Sequence, residues 1–202
     1  MNWIENFYTQ NKVKNLPEDL PFAGGLVGYF GYETIQFIES KLKIEKKDTL
    51  EVPDIFLFVC NEIIIFDNQE NCAHIILNAE TNKENSYEES IERLKELEET
   101  INRKKQIGEI KGAILKNEFT SSFKKENFLN AVIKTKEYIS EGDVMQVVLS
   151  QRLSKKFDGE PIGMYEALRK LNPSPYMYFL DMDGFQIIGS SPEILVKLED
   201  DK

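Results

Sequence analysis

Apolar residues along this chain follow two rhythms. In the first part they come as short runs rich in β-branched and aromatic side chains, at 22–32 (FAGGLVGYFGY), 53–67 (PDIFLFVCNEIIIFD) and 73–79 (AHIILNA). Such runs predict strands. The glycines of the first run predict a close-packed strand with bulges, and the other two fit an antiparallel meander. Ahead of them residues 1–20 are polar, with Trp3, Ile4 and Phe7 as a weak apolar cluster and turn residues at Pro17 and Pro21. From 86 to about 106 the period lengthens, with Tyr87, Ile91, Leu94, Leu97 and Ile101 near helical spacing. Ser86 followed by Glu89 has the sequence of a capping box. The remaining positions are mostly Glu, Lys and Arg, so the helix is solvated with one buried stripe.

Residues 107–122 read as an exposed connector carrying Gly108, Gly112, Thr120 and two serines. A second helix from about 125 to 140 sets Phe128, Val132, Thr135 and Ile139 on one face and stops at Gly142. Next comes a strand over 144–153 (VMQVVLSQRL), then a short helix opened by Pro161 and ended before Asn172-Pro173. Segments 175–180 and 185–189 predict a hairpin around Asp183-Gly184, and 194–198 reads as the start of another strand. No regular βαβα alternation runs through this order, so the predicted class is α+β, with antiparallel sheets flanked by helices. The division falls near residue 120, giving regions 1–120 and 121–202.

Composition narrows the function. Of 202 residues 41% are hydrophobic and 30% charged, as in a folded globular protein. The 35 acidic and 25 basic side chains leave a net charge of −10, which argues against nonspecific binding to nucleic acid or anionic membrane. No apolar run approaches the roughly 18 residues of a membrane span, and no basic-then-apolar leader opens the chain; a cytoplasmic protein is the expectation. The two cysteines, Cys60 and Cys72, read as buried thiols rather than a disulfide framework. The lone histidine, His74, has no second histidine and no close cysteine or acid cluster, so neither a zinc site nor a histidine triad is expected.

Three segments could carry chemistry, each with a plainer reading beside it. Alternation over 144–153 puts Gln146, Val148, Ser150 and Arg152 on one face; they line either a polar pocket for an anion or a solvated side. The stretch 172–179 (NPSPYMYF) is stiffened by Pro173 and Pro175. Beside Tyr176 and Met177 it would hold a flat apolar ligand, or simply turn the chain into the hairpin. In 189–193 (GSSPE) small residues allow close approach of a ligand, and Glu193 is either a proton donor or a solvated carboxylate. Gly24, Gly25, Gly28 and Gly31 lack the spacing of a phosphate loop.

In order, three blocks resemble the anthranilate synthase large subunits, component I, within the chorismate-utilising enzyme family. They are GGLVGYFGYE at 24–33, KEYISEGDVMQVVLSQRL at 136–153 and LRKLNPSPYMYFLDMDGFQIIGSSPEILVKLED at 168–200. Glu33 stands where the family usually has Asp. The resemblance covers nearly everything beyond the first twenty residues, and the last two blocks separate it from the similar aminodeoxychorismate synthases.

The resemblance implies a lyase of tryptophan biosynthesis that converts chorismate and ammonia to anthranilate and pyruvate. The ammonia would come from glutamine through a glutamine amidotransferase partner, component II. It assigns Glu193 as general acid for loss of the chorismate C4 hydroxyl, and Gln146 to the position where isochorismate- and salicylate-forming relatives keep a water-activating Lys. Asn172, Pro175, Tyr176 and Met177 fall where the family binds L-tryptophan as feedback inhibitor. It places region 121–202 at the start of the chorismate-binding domain. The Mg2+ ligands, further chorismate contacts and catalytic His would lie in a C-terminal half that does not appear here, so this chain alone would bind no metal. The alternatives are an aminodeoxychorismate synthase component I and a non-catalytic tryptophan-binding or assembly module.

Overall fold

The computed structural model describes residues 2–14, 20–42, 48–103 and 118–198. It divides into two compact units, Met1–Gln106 and Ile107–Lys202. Both mix helices with two-stranded antiparallel sheets, which bears out the α+β class.

The first unit opens with α1 (Asn2–Gln10), which the weak apolar cluster did not reveal. Its signal is the i, i+4 spacing of Trp3 and Phe7, whose rings stack at 5.2 Å. Strand β1 (Gly25–Phe30) pairs with β2 (Ile55–Cys60) from Gly25↔Cys60 to Phe30↔Ile55 without a skipped residue. The predicted bulges are therefore not there. The glycines serve close approach instead: a Cβ on Gly28 would overlap the Phe56 carbonyl oxygen across the ladder. After β1 the chain makes a 3-10 turn, Tyr32–Phe37, also unanticipated.

Strand β3 (Glu62–Asp67) pairs with β4 (Cys72–Leu77), and not with β2. The expected three-stranded meander fails because only Asn61 separates β2 from β3, and the commonest tight hairpins need two loop residues. Asn78 joins the sheets instead. Its amide N–H donates to the Asn61 carbonyl at 2.9 Å, and its side-chain Nδ2 donates to the carbonyl of buried Ala23, also at 2.9 Å.

Helix α2 (Ser86–Asn102) packs on β4 with Ile91, Leu94 and Leu97 half-buried. Tyr87 is exposed, and the buried position of the first turn belongs to Ser86. The capping box does not form: Asn85, at φ 60°, is the N-cap, and Glu89 pairs with Lys83 Nζ at 2.6 Å. Arg93 reaches from α2 to the hairpin, donating to both Glu62 carboxylate oxygens at 2.8 and 3.0 Å. These hydrogen bonds hold the Glu62 carboxyl below its ordinary range. Both side chains are about half exposed, so the pair contributes at most about 1 kcal/mol.

In the second unit α3 (Lys125–Glu141) starts with Phe123 set edge-on against Phe128 at 5.6 Å, an apolar contact across the helix start. It ends at Gly142, φ 83°, where the Gly142 and Asp143 amides donate back to the Ile139 and Tyr138 carbonyls. The strand expected over 144–153 is reduced to β6 (Leu153–Ser154), paired with β5 (Thr120–Ser121). Among the described residues nothing pairs with the backbone of 144–150, and a strand needs a neighbour. Most of the predicted connector lies in 104–117, outside the described residues.

Helix α4 (Pro161–Leu171) has proline at its first turn and packs on the hairpin of β7 (Tyr176–Asp181) and β8 (Gln186–Ser191). Tyr165 and Phe179 meet edge-on at 6.1 Å, and Met182 is buried beside the Gly184 turn. Residues 194–198 form no strand; Leu195, Val196 and Leu198 are exposed.

Two glycines separate sterics from backbone strain. Gly142→Ala meets no atom within 4 Å but keeps a left-handed φ; it is expected to cost about 1 kcal/mol in urea denaturation. Gly28→Ala drives a Cβ into the Phe56 carbonyl and is expected to cost more, about 2–3 kcal/mol. Equal losses would refute the tight β1–β2 approach.

Candidate functional site

Of the six residues given roles by the resemblance, all but Gln146 lie at a corner where α4 ends and the hairpin begins. Helix α4 stops at Asn172 (φ −142°, ψ 67°) because the following Pro173 disfavours helical backbone before it. Pro173 and Pro175 then carry the chain into β7 without offering amide donors. The hairpin register sets Tyr176 opposite Ser191 and Met177 opposite Ser190. Ser190 Oγ donates to the Asn172 carbonyl at 2.8 Å, tying the helix end to β8. Ser191 Oγ donates to the Glu193 carbonyl at 3.0 Å, holding the start of the next segment against the same end of the hairpin.

Asn172, Pro175, Tyr176, Met177 and Glu193 thus lie around one end of β7–β8. Met177 is half-buried, while Asn172, Pro175, Tyr176 and Glu193 are exposed. The Glu193 carboxylate makes no hydrogen bond to another described residue. Gly189 lies opposite Tyr178, and a Cβ there would overlap the Tyr178 ring. The arrangement offers a stiff, donor-poor backbone, an aromatic face, a thioether and one free carboxylate. That is chemistry suited to a flat, partly apolar ligand with a protonatable group.

Gln146 is the exception. It is exposed in the segment 144–150, and no described contact joins it to the corner. Ser174 was missed by the sequence reading: its Oγ is closed off from solvent and without a partner among the described residues. Nothing in a single Ser between two prolines signals that burial.

The expectation of two buried thiols also needs correction. Cys60 is half-buried, and burial pushes its thiol pKa up. Cys72, at the turn end of β4, is exposed, with Sγ 3.4 Å from His74 Nε2. The period of two along a strand puts these neighbours on one face, so His74 does have a close cysteine. Among the described residues no group of three or more His, Cys, Asp or Glu could hold a metal ion. No described helix is long and apolar enough to cross a membrane.

Comparison with known proteins gives a consistent result. The model for a family described as chorismate binding enzyme matches residues 1–202. Anthranilate synthase component 1 from Pseudomonas putida is 42% identical over 98% of this chain and 41% of its own length. The same component from Aquifex aeolicus is 43% identical over 99% of this chain and 43% of its own length. The crystal structure of anthranilate synthase component I from Streptococcus pneumoniae superposes with a TM-score of 0.78 at 32% identity, covering 98% of this chain and 45% of that one. This chain therefore spans about two fifths of the length of the curated relatives it matches.

The corner depends on one hydroxyl. Ser190→Ala removes the donor to Asn172 and is expected to lower stability by about 1 kcal/mol. It should also speed amide exchange in 176–178 relative to α3. Unchanged exchange there would show that the prolines alone hold the corner.

Proposed function

We propose, from the premise that this chain belongs to the chorismate binding enzyme family, that it supplies part of an anthranilate synthase component I. The observation that carries the reading is 42% identity sustained over 98% of the chain. In this reading ammonia attacks C2 of chorismate while the C4–oxygen bond breaks, and Glu193 protonates the departing hydroxyl so that it leaves as water. Its exposed carboxylate, uncommitted to another described residue, is free to reach a substrate. General acids of this kind contribute about 10²–10⁴-fold in rate. The aminated intermediate then loses pyruvate to give anthranilate.

Gln146 is a neutral amide and cannot deprotonate water. That favours ammonia over water as the nucleophile, with glutamine as its source through an amidotransferase subunit. Tyr176 and Met177, braced by Pro175 and Asn172, would receive the indole ring of L-tryptophan. A stiff segment holds such a ligand with little loss of conformational entropy. The reading places the enzyme in the cytoplasm. Magnesium would neutralise the chorismate carboxylates when bound. No group of three or more His, Cys, Asp or Glu lies together among the described residues, and the reading assigns its ligands to the part of the relatives' fold that this chain does not span.

The test mixes residues 1–202 with the C-terminal portion of the Pseudomonas putida relative, chorismate, Mg2+ and ammonium, and follows anthranilate fluorescence. The expected result is turnover only in the mixture. Glu193→Gln should reduce kcat by about 100-fold or more with unchanged thermal unfolding. Tyr176→Ala should preserve kcat and weaken tryptophan inhibition by at least about tenfold. Turnover by residues 1–202 alone would overturn the assignment of metal and substrate ligands elsewhere.

A further inference from the structure

Near the tip of the β3–β4 hairpin a thiol, an imidazole and a carboxylate share one face. Cys72 and His74 are two residues apart on β4, so both project to the same side of the ribbon. The register sets Asp67, the last residue of β3, directly opposite Cys72. Ile65 stands opposite His74, so Asp67 is the charged group that faces the pair from β3. Ala73 and Ile75 turn the other way, toward Ile91 and Leu94 of α2. Cys72 directly follows the turn 68–71 and is exposed.

The tip is held in place by hydrogen bonds. Asp67 Oδ1 accepts the Gln69 amide at 2.8 Å and the Glu70 amide at 3.0 Å. The Glu70 and Gln69 amides, with a smaller contribution from His74, hold the Asp67 carboxyl below its ordinary range. Cys72 Sγ lies 3.4 Å from His74 Nε2. A neutral imidazole with its proton on Nδ1 has Nε2 free to accept the thiol hydrogen. A nucleophile within hydrogen-bond reach of a base, with a carboxylate near that base, is an arrangement that activates a thiol toward displacement. Cys60 supplies the contrast: it is half-buried, and burial pushes its thiol pKa up. The charged side chains among residues 66–74 are Asp67 and Glu70, both acidic. A cationic reagent is drawn to such a tip and an anionic one is turned away.

We propose that Cys72 is a thiol-modification site for small, positively charged disulfides, with His74 accepting the thiol proton. The Cys72 sulfur attacks one sulfur of the disulfide as its proton passes to His74 Nε2. A new S–S bond forms between Cys72 and one half of the reagent, and the reagent's own S–S bond breaks. The other half leaves as a thiolate, takes the proton back from His74 and departs as a free thiol. Cys72 is oxidised and the departing half is reduced; a second thiol reverses the step by the same displacement. The site lies in the first unit and does not depend on the anthranilate synthase reading.

The test adds cystamine, a dicationic disulfide, to residues 1–202 at about pH 7 and locates the adduct by mass spectrometry of acid-quenched peptides. One cysteamine unit should appear on Cys72 at least about tenfold faster than on Cys60. His74→Gln keeps a polar side chain but no base, and should slow the reaction at least about tenfold. At about pH 10, where thiols ionise unaided, the same variant should react within about threefold of the unsubstituted chain. Asp67→Asn combined with Glu70→Gln should lower the rate ratio of cystamine to dithiodipropionate, a dianionic disulfide, at least about threefold. Faster modification of Cys60, or an unchanged rate in His74→Gln at about pH 7, would overturn the proposal. A loss in His74→Gln that persists at about pH 10 would also overturn it, because His74 would then act only by holding the strand. An unchanged ratio in the double variant would overturn the preference for cationic reagents.

Discussion

The packing of a helix against a two-stranded ribbon is what each unit depends on. Two antiparallel strands satisfy each other's backbone on one edge only and bury little, so an isolated hairpin is marginal in water. Every sheet described here has two strands. Stability has to come from α2 lying on β4 in the first unit and from α4 lying on β7–β8 in the second. Arg93 gripping both oxygens of Glu62, and Tyr165 meeting Phe179, are the local expressions of that requirement. Ala23 and Met182 are the only buried apolar residues among those described. Helix packing of this kind leaves much apolar surface half covered.

The same constraint explains which elements were legible in the sequence. Helices α2, α3 and α4 could be read because their signals are local: a 3.6-residue stripe, a glycine stop and a proline start. The β7–β8 hairpin was legible for the same reason, its Asp183-Gly184 turn lying between matched apolar runs. Strands depend on partners the local pattern cannot name. Residues 144–150 have every sequence mark of a strand and no backbone partner among the described residues, and 194–198 failed likewise. The β2–β3 meander failed through the length of a single link, and the capping box because Lys83 competes for Glu89.

The candidate site was legible in its residues but not in its architecture. Sequence order set Asn172 and Tyr176 close together, and Glu193 seventeen residues after Tyr176. Only the hairpin register shows that Ser190 and Ser191 return to the same end. The hydroxyl of Ser190 then fixes a backbone carbonyl rather than a ligand. This is a second-order role that residue type alone does not disclose. The unpartnered Ser174 Oγ was equally out of reach, because burial of one atom in a proline-flanked turn depends on the packing around it.

Asn61 stands alone between β2 and β3, and that has a consequence for how this chain can change over evolutionary time. Side chains alternate along a strand, so one residue inserted at Asn61 would turn every side chain of β3 and β4 to the opposite face relative to β2. Strands β3 and β4 and the packed α2 would turn together, so Glu62 would keep Arg93 while the bond from the Asn78 amide to the Asn61 carbonyl would lose its alignment. The loop from Asn68 to Asn71 is different, because an added residue there lengthens a solvent-facing turn without changing the phase of either strand. Drift in chain length should therefore collect at the hairpin tip, while the count from Ile55 to Asp67 stays frozen even as the identities within it change.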